Sequence, residues 1–223
     1  MFQIKICGIT NTNDARMVAA AGADAVGLNF YPKSPRCVDL ENARRIVDML
    51  PAEIVKVGLF VNAEAEEIRR LYDELGLNLI QLHGDEPPAM LGELSPRPVM
   101  RAFRLGSDYL YPVGSYLRHC QHLQCMPCMT LIDAHLEGVY GGTGQVVDWE
   151  VLTTYQAIRP EEPIPPLVLA GGLTPQNVAE AIRTARPAAV DTASGVESSP
   201  GRKDPAAVTE FARAAREAFG SGR

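Results

Sequence analysis

Short apolar runs rich in β-branched residues recur along the whole 223-residue chain, and a helix-patterned segment follows each of them. The runs cover residues 2–6, 25–30, 54–61, 78–82, 98–103, 129–133, 167–170 and 188–192. The segments between them carry recognisable helix starts, such as Thr12-Asn13-Asp14 before 15–21 and Asp39 before 40–50. Residues 63–75 are the clearest amphipathic case: Ile68, Leu71 and Leu75 recur at helical spacing while Glu64, Glu66, Glu67, Arg69 and Arg70 fill the other faces. Further helices are predicted over 87–94, 109–117, 149–158, 175–185 and 205–219. Strands that alternate with helices must pair in parallel, because each crossover returns the chain to the same edge of the sheet. Eight such units close a barrel. The predicted architecture is therefore α/β, a single (β/α)8 TIM barrel over residues 1–223, a length one barrel commonly fills. The alternative, an open doubly wound sheet, lacks the Gly-x-Gly-x-x-Gly expected after its first strand. Nothing reads as an interdomain linker; the Pro-rich stretch 160–166 is a connector, and 220–223 is expected to fray.

In such a barrel the loops at the C-terminal strand ends build the active site, so the residues just after each run are the ones to read. Strand one ends at Cys7. Period-two alternation puts Lys5 on the same face, where its ammonium is expected to lower the thiol pKa from ~8.5 and favour a thiolate base; a small buried hydrophobe is the competing explanation. Arg36 follows Ser34-Pro35, and its guanidinium suits bidentate grip of a carboxylate, or simple solvation. Strand four leads to His83. Asp133 ends strand six, where desolvation is expected to raise its pKa and keep an acid form accessible, unless it caps a turn. Cys7 and Asp133 can then face each other across the barrel mouth as base and acid. Gly171-Gly172 and Ser194-Gly195 follow strands seven and eight; two adjacent glycine-rich loops suit a phosphate held by backbone N–H groups, where one alone would read as a tight turn. Gly141-Gly142-Thr143-Gly144 lacks the Gly-Lys-Ser/Thr ending of a nucleotide loop and reads as a cover over substrate or a static turn.

The net charge of −6 argues against a general nucleic-acid binder, and no apolar stretch approaches the ~20 residues that cross a bilayer. Five cysteines, an odd number, with no secretory signal ahead of them point to a reducing cytoplasm. His119, Cys120, His122, Cys125 and Cys128 form a ligand-rich stretch, but it precedes strand six on the face away from the expected site, so no metal is assigned to it.

Taken in order, seven segments resemble the phosphoribosylanthranilate isomerase family of tryptophan biosynthesis. They are Lys5-Ile6-Cys7-Gly8-Ile9-Thr10, Phe30-Tyr31-Pro32-Lys33-Ser34-Pro35-Arg36, Gly58-Leu59-Phe60-Val61-Asn62, Gln81-Leu82-His83-Gly84-Asp85-Glu86, Gly141-Gly142-Thr143-Gly144 with Asp148-Trp149, Leu169-Ala170-Gly171-Gly172-Leu173, and Asp191-Thr192-Ala193-Ser194-Gly195-Val196-Glu197. The resemblance implies a cofactor-independent, metal-free aldose-ketose isomerase acting on a small phosphorylated substrate, as a monomer or homodimer. It further implies Cys7 as general base, Asp133 as general acid, Arg36 on the anthranilate carboxylate, and Gly171, Gly172, Ser194 and Gly195 on the phosphate. Lys5 and His83 are pocket residues without an assigned proton. Gln145, where a lysine is common in the family, and Asn29, where an aliphatic residue is usual, depart from the pattern, and the 119–128 stretch is unfamiliar in it. The rival readings are another phosphosugar barrel or a catalytically silent barrel that binds a phosphorylated ligand; retention of both Cys7 and Asp133 speaks against the latter.

Overall fold

The computed structural model describes residues 2–104, 110–133, 149–158 and 163–221. The alternation read from the sequence folds as β1 (Ile4–Cys7), α1 (Thr12–Ala20), β2 (Ala25–Asn29), α2 (Leu40–Met49), β3 (Val55–Phe60), α3 (Ala65–Leu75), β4 (Leu79–Leu82), α4 (Ala89–Leu94), β5 (Val99–Arg104), α5 (Tyr111–His122) and β6 (Met129–Asp133). A 3-10 helix (Trp149–Ile158), β7 (Leu167–Ala170), α6 (Val178–Ala185) and β8 (Ala189–Thr192) follow. A short hairpin of β9 (Glu197–Ser199) and β10 (Arg202–Lys203) then precedes α7 (Pro205–Gly220). Strands β1 to β8 pair in sequence order, and β8 closes on β1 in parallel, with Lys5 opposite Asp191. The predicted barrel is the observed one.

Period-two alternation sorts each strand into two layers. Ile4 and Ile6 of β1, Ile80 and Leu82 of β4 and Leu167 and Leu169 of β7 face outward into the helix layer, which buries Ile46, Ile68, Val113, Leu117 and Phe211. The opposite set fills the barrel interior: Ala25, Val57, Leu79, Met100, Ala102, Met129, Leu131, Val168, Ala170 and Ala189. Extending the inward register by one step carries β1 to Cys7, β5 to Arg104, β6 to Asp133 and β8 to Asp191, all at the C-terminal end.

Helix starts follow side-chain capping. Asn11, Asp39 and Asp204 accept from the N–H groups of Asp14, Asn42 and Ala207 and so satisfy donors that the helix leaves open. The first helix thus begins at Thr12, a turn earlier than its apolar pattern indicated. Residues 149–158 form a helix over the expected bounds, of the 3-10 type. There Thr153 and Thr154 hydroxyls donate to the carbonyls of Glu150 and Val151, a local competition that disfavours regular i→i+4 bonding. The β9–β10 hairpin has no counterpart in the sequence reading.

Candidate active site

A cavity of about 490 Å3 opens at the C-terminal end of the barrel. Cys7, Arg36, His83, Asp133, Gly171, Gly172 and Ser194 all line it. A larger depression, about 1030 Å3, lies at the opposite end around Phe2, Asp24 and Arg216 and receives none of these side chains.

The thiol of Cys7 is seated by an absence. A Cβ on Gly27, its register partner on β2, would stand 2.6 Å from Cys7 Sγ and 3.1 Å from its Cα, so the strands meet this way only with glycine there. Gly8, at φ +73, serves Arg36 similarly: a Cβ would lie 2.5 Å from Arg36 Cδ, and the bare backbone lets that side chain cross toward the cavity.

Lys5 lies wholly buried beneath the cavity floor, with Nζ 2.9 Å from Asp191 Oδ2. Burial works against its charge, but Asp191 and Cys7 outweigh that and hold its pKa above the ordinary value. The thiol moves the other way from the expectation. Burial pushes the Cys7 pKa up, Lys5 pulls it down, and Asp191 adds to the rise, so that the net direction is above the ordinary thiol value. Proximity of an ammonium is outweighed here because its charge is shared with a carboxylate and the thiol is desolvated. Burial likewise raises the Asp191 pKa, against Lys5 and with support from the charge of Asp133. Asp191 thus stands as an ionisable cavity residue that the sequence reading quoted in a motif without a role. Its inward register with Ala189 was the signal that could have found it.

Arg36 is committed along one edge. Its Nε and Nη2 donate to Glu197 Oε1 at 2.8 Å and Oε2 at 2.6 Å. Glu197 also accepts from Lys203 Nζ at 2.7 Å, and Lys203 donates to the Ala193 carbonyl at 3.0 Å. The hairpin register puts Glu197 opposite Lys203, a cross-strand pair of opposite charge. Burial favours a neutral Glu197, but Arg36 and Lys203 prevail and depress its pKa. The guanidinium has a second bidentate edge, Nη1 with Nη2, which remains for an incoming carboxylate.

His83, one residue past β4, sits with Nε2 3.8 Å from Asp133 Oδ2 and Nδ1 3.3 Å from the Gln81 amide nitrogen. Burial, joined by the charges of Arg104, Lys5 and Arg101, pushes its pKa down to about 4. The imidazole is therefore neutral at pH 7, and its contact with Asp133 is not an ion pair. With the Gln81 amide oriented to donate, Nδ1 accepts and the ring proton sits on Nε2, facing the carboxylate.

The two glycine-rich loops form one unit. Gly171 and Gly172 take φ of +88 and +65, and a Cβ on Gly195 would fall 1.9 Å from the Leu173 carbonyl oxygen. Thr192 Oγ1 donates to that oxygen at 2.7 Å, tying the loop after β8 to the loop after β7. Gly171, Gly172 and Ser194 reach the cavity, whereas Gly195 acts by permitting this close approach. Gly141-Gly142-Thr143-Gly144, Gln145 and Asp148 lie outside the described residues. In the 119–128 stretch, Cys120 is buried and Cys125 Sγ donates to the Pro88 carbonyl; among the described residues no three His, Cys, Asp or Glu side chains gather as a metal set.

This arrangement has close counterparts. The family model for N-(5'-phosphoribosyl)anthranilate isomerase matches residues 4–214. The chain belongs to the phosphoribosylanthranilate isomerase family. The isomerase named from Trichlorobacter lovleyi is 47% identical over 220 residues, 98% of this chain and 100% of that protein. The one from Acidithiobacillus ferrooxidans is 47% identical over 92% of both chains. Among solved structures, the phosphoribosylanthranilate isomerase of Thermotoga maritima superposes with a TM-score of 0.82 at 38% identity, covering 97% of this chain and all of that one. A structure of the family in complex with reduced 1-(o-carboxyphenylamino)-1-deoxyribulose 5-phosphate matches with a TM-score of 0.80 at 37% identity over 97% of this chain and all of that one.

Proposed function

We propose that this chain converts N-(5'-phosphoribosyl)anthranilate to 1-(o-carboxyphenylamino)-1-deoxyribulose 5-phosphate in tryptophan biosynthesis, as an intramolecular oxidoreductase working by general acid–base catalysis. The observation that carries the reading is the convergence of Cys7 and Asp133, from β1 and β6, on one cavity whose rim is the paired glycine loops. Backbone N–H groups at Gly171, Gly172 and Ser194 hold the phosphate, with Gly195 keeping the two loops in contact. The free edge of Arg36, oriented by Glu197, takes the anthranilate carboxylate.

Between these anchors Asp133 gives its proton to the furanose ring oxygen, the C1–O bond breaks, and the ring opens to a protonated Schiff base. The Cys7 thiolate then removes the C2 proton; the electron pair of that C–H bond forms the C1–C2 double bond of an enolamine as the iminium is neutralised. Loss of the C2 hydroxyl proton with protonation at C1 yields the ketone. Ring opening places an iminium cation beside the thiol, and that charge favours the thiolate that burial alone opposes. His83, neutral and with Nε2 3.8 Å from the carboxylate, is placed to move into hydrogen-bond range of Asp133 and support it once its proton has left. Lys5 sets the charge of Asp191 beneath the sugar. These steps use side chains alone, without metal or organic cofactor.

Every residue given a role belongs to one chain, so a monomer or a homodimer can act; a Thermotoga maritima relative is described as dimeric, with monomers generated from it. No helix of the described residues is long and apolar enough to cross a membrane, and none of the five cysteines is in a disulfide, which fits action in a reducing cytoplasm. Loss of anthranilate-type fluorescence with freshly generated phosphoribosylanthranilate is the test. Turnover of that substrate is expected; its absence in folded protein refutes the proposal.

A further inference from the structure

Behind the barrel wall, outside the cavity, a buried ion pair grips the backbone on both sides of His83. Arg101, on the outward face of β5, is 5% exposed and Glu86, four residues past β4, is 3% exposed. Their charges meet at 3.2 Å between Arg101 Nη1 and Glu86 Oε2. The guanidinium lies against the rings of Phe103 and Tyr116, 5.0 and 5.2 Å from their centroids, so neither charge has bulk water to stabilise it. A buried ion pair is a weak source of stability, and its persistence in an apolar layer calls for a role in fixing geometry.

That geometry centres on one residue. Arg101 Nη1 donates to the Leu82 carbonyl at 3.0 Å, and Nη2 donates to the Gly84 carbonyl at 2.8 Å. Glu86 accepts from Gly84 N at 2.9 Å through Oε2. The two peptide groups that flank the His83 Cα are therefore held from behind, one by each member of the pair. Glu86 Oε1 also accepts from Asn62 N at 2.8 Å, and Asn62 Oδ1 accepts from Asp85 N at 2.7 Å, which locks this turn to the end of β3. His83 N itself donates to the Phe60 carbonyl at 2.9 Å. Three neighbouring strand ends thus fix where the imidazole stands relative to Asp133.

We propose that Arg101 and Glu86 are positioning residues for the isomerisation, a forked clamp that holds His83 over the general acid without touching substrate. The inference rests on the proposed role of His83. An Arg at this point does what Lys cannot, since a single ammonium does not span two carbonyls and a carboxylate in one plane.

The test compares Arg101→Lys and Glu86→Gln, each in the parent and in the His83→Ala background, by steady-state kinetics with thermal unfolding as a check on folding. His83→Ala alone is expected to lower kcat. Arg101→Lys is expected to lower kcat about 10- to 100-fold with KM changed by less than about threefold, the scale of an ångström-sized misplacement. In the His83→Ala background the same substitution should cost less than about twofold further. An equal loss in both backgrounds, or an unchanged kcat, overturns the clamp. An unchanged kcat in His83→Ala instead removes the role of His83 itself. Should Arg101→Lys fold poorly, Glu86→Gln carries the same comparison, because its amide retains an acceptor for Asn62 N. A histidine-selective NMR titration adds an independent readout: the His83 pKa should move in Arg101→Lys, and an unmoved His83 pKa counts against the clamp.

Discussion

Gly27→Ala tests the seat of the proposed base without altering any ionisable group. A Cβ at that position would come within 2.6 Å of Cys7 Sγ and 3.1 Å of its Cα. Ordinary contact needs roughly 3.6 Å, so the thiol must retreat by about 1 Å or the strands must part. The first response costs proton transfer about 100-fold, or roughly 2.7 kcal/mol of barrier. The second costs about 1–3 kcal/mol of stability, the usual range for an overpacked methyl. Fluorescence-monitored turnover, run beside a thermal melt, separates them. The expected result is a folded protein with kcat down about 100-fold and KM little changed, and a much smaller further loss when the same substitution is made in Cys7→Ala. A folded Gly27→Ala variant whose kcat stays within about twofold of the parent would refute the reasoning, because the proposed base would then tolerate displacement that proton abstraction does not.

Cys7→Ala and Asp133→Asn should each lower kcat by at least about 100-fold, the contribution typical of one general acid or base; retention of full turnover in either removes that role. Glu197→Gln should raise KM more than it lowers kcat, since Arg36 loses a charged partner that orients its free edge, and an unchanged KM counts against the carboxylate clamp. In kcat/KM against pH, the thiolate fraction grows with pH while the protonated carboxyl fraction shrinks, so the two offset and leave a plateau; because burial raises the Cys7 pKa, the falling basic limb should lie above the range of an ordinary exposed thiol, and a limb below that range would contradict it. At the other end of the barrel, Asp24 accepts from Gln3 N and Ile4 N at 2.9 Å and pairs with Arg216; burial favours its neutral form, but these bonds prevail and depress its pKa. A depressed carboxyl pKa contributes stability above the unfolded value of ~3.9 and loses it as pH falls. Asp24→Ala should therefore destabilise by about 1–2 kcal/mol at pH 7, with the difference shrinking below pH 4, measured by urea unfolding.

The sequence by itself determined the barrel and pointed to the end of it where the candidate site lies. Alternating strand and helix patterns admit few topologies, and period-two alternation carried from Ile4 and Ile6 sends Lys5 and Cys7 inward, as Met129 and Leu131 send Asp133. Both signals are local, because a strand's two faces are written in consecutive residues. Tertiary structure alone decided the electrostatics. Lys5 sits two residues from Cys7 and reads as its activator, yet Asp191 takes much of its charge across the β1–β8 seam and burial lifts the thiol's pKa. Arg36 reads as a free fork until Glu197, 161 residues later, occupies one edge. Glu86 and Arg101 have no role in the sequence reading, and only the adjacency of β4 and β5 brings them together behind His83. Coulombic and desolvation energies depend on distances between chain segments and on exclusion of water, and neither quantity exists until the barrel has closed.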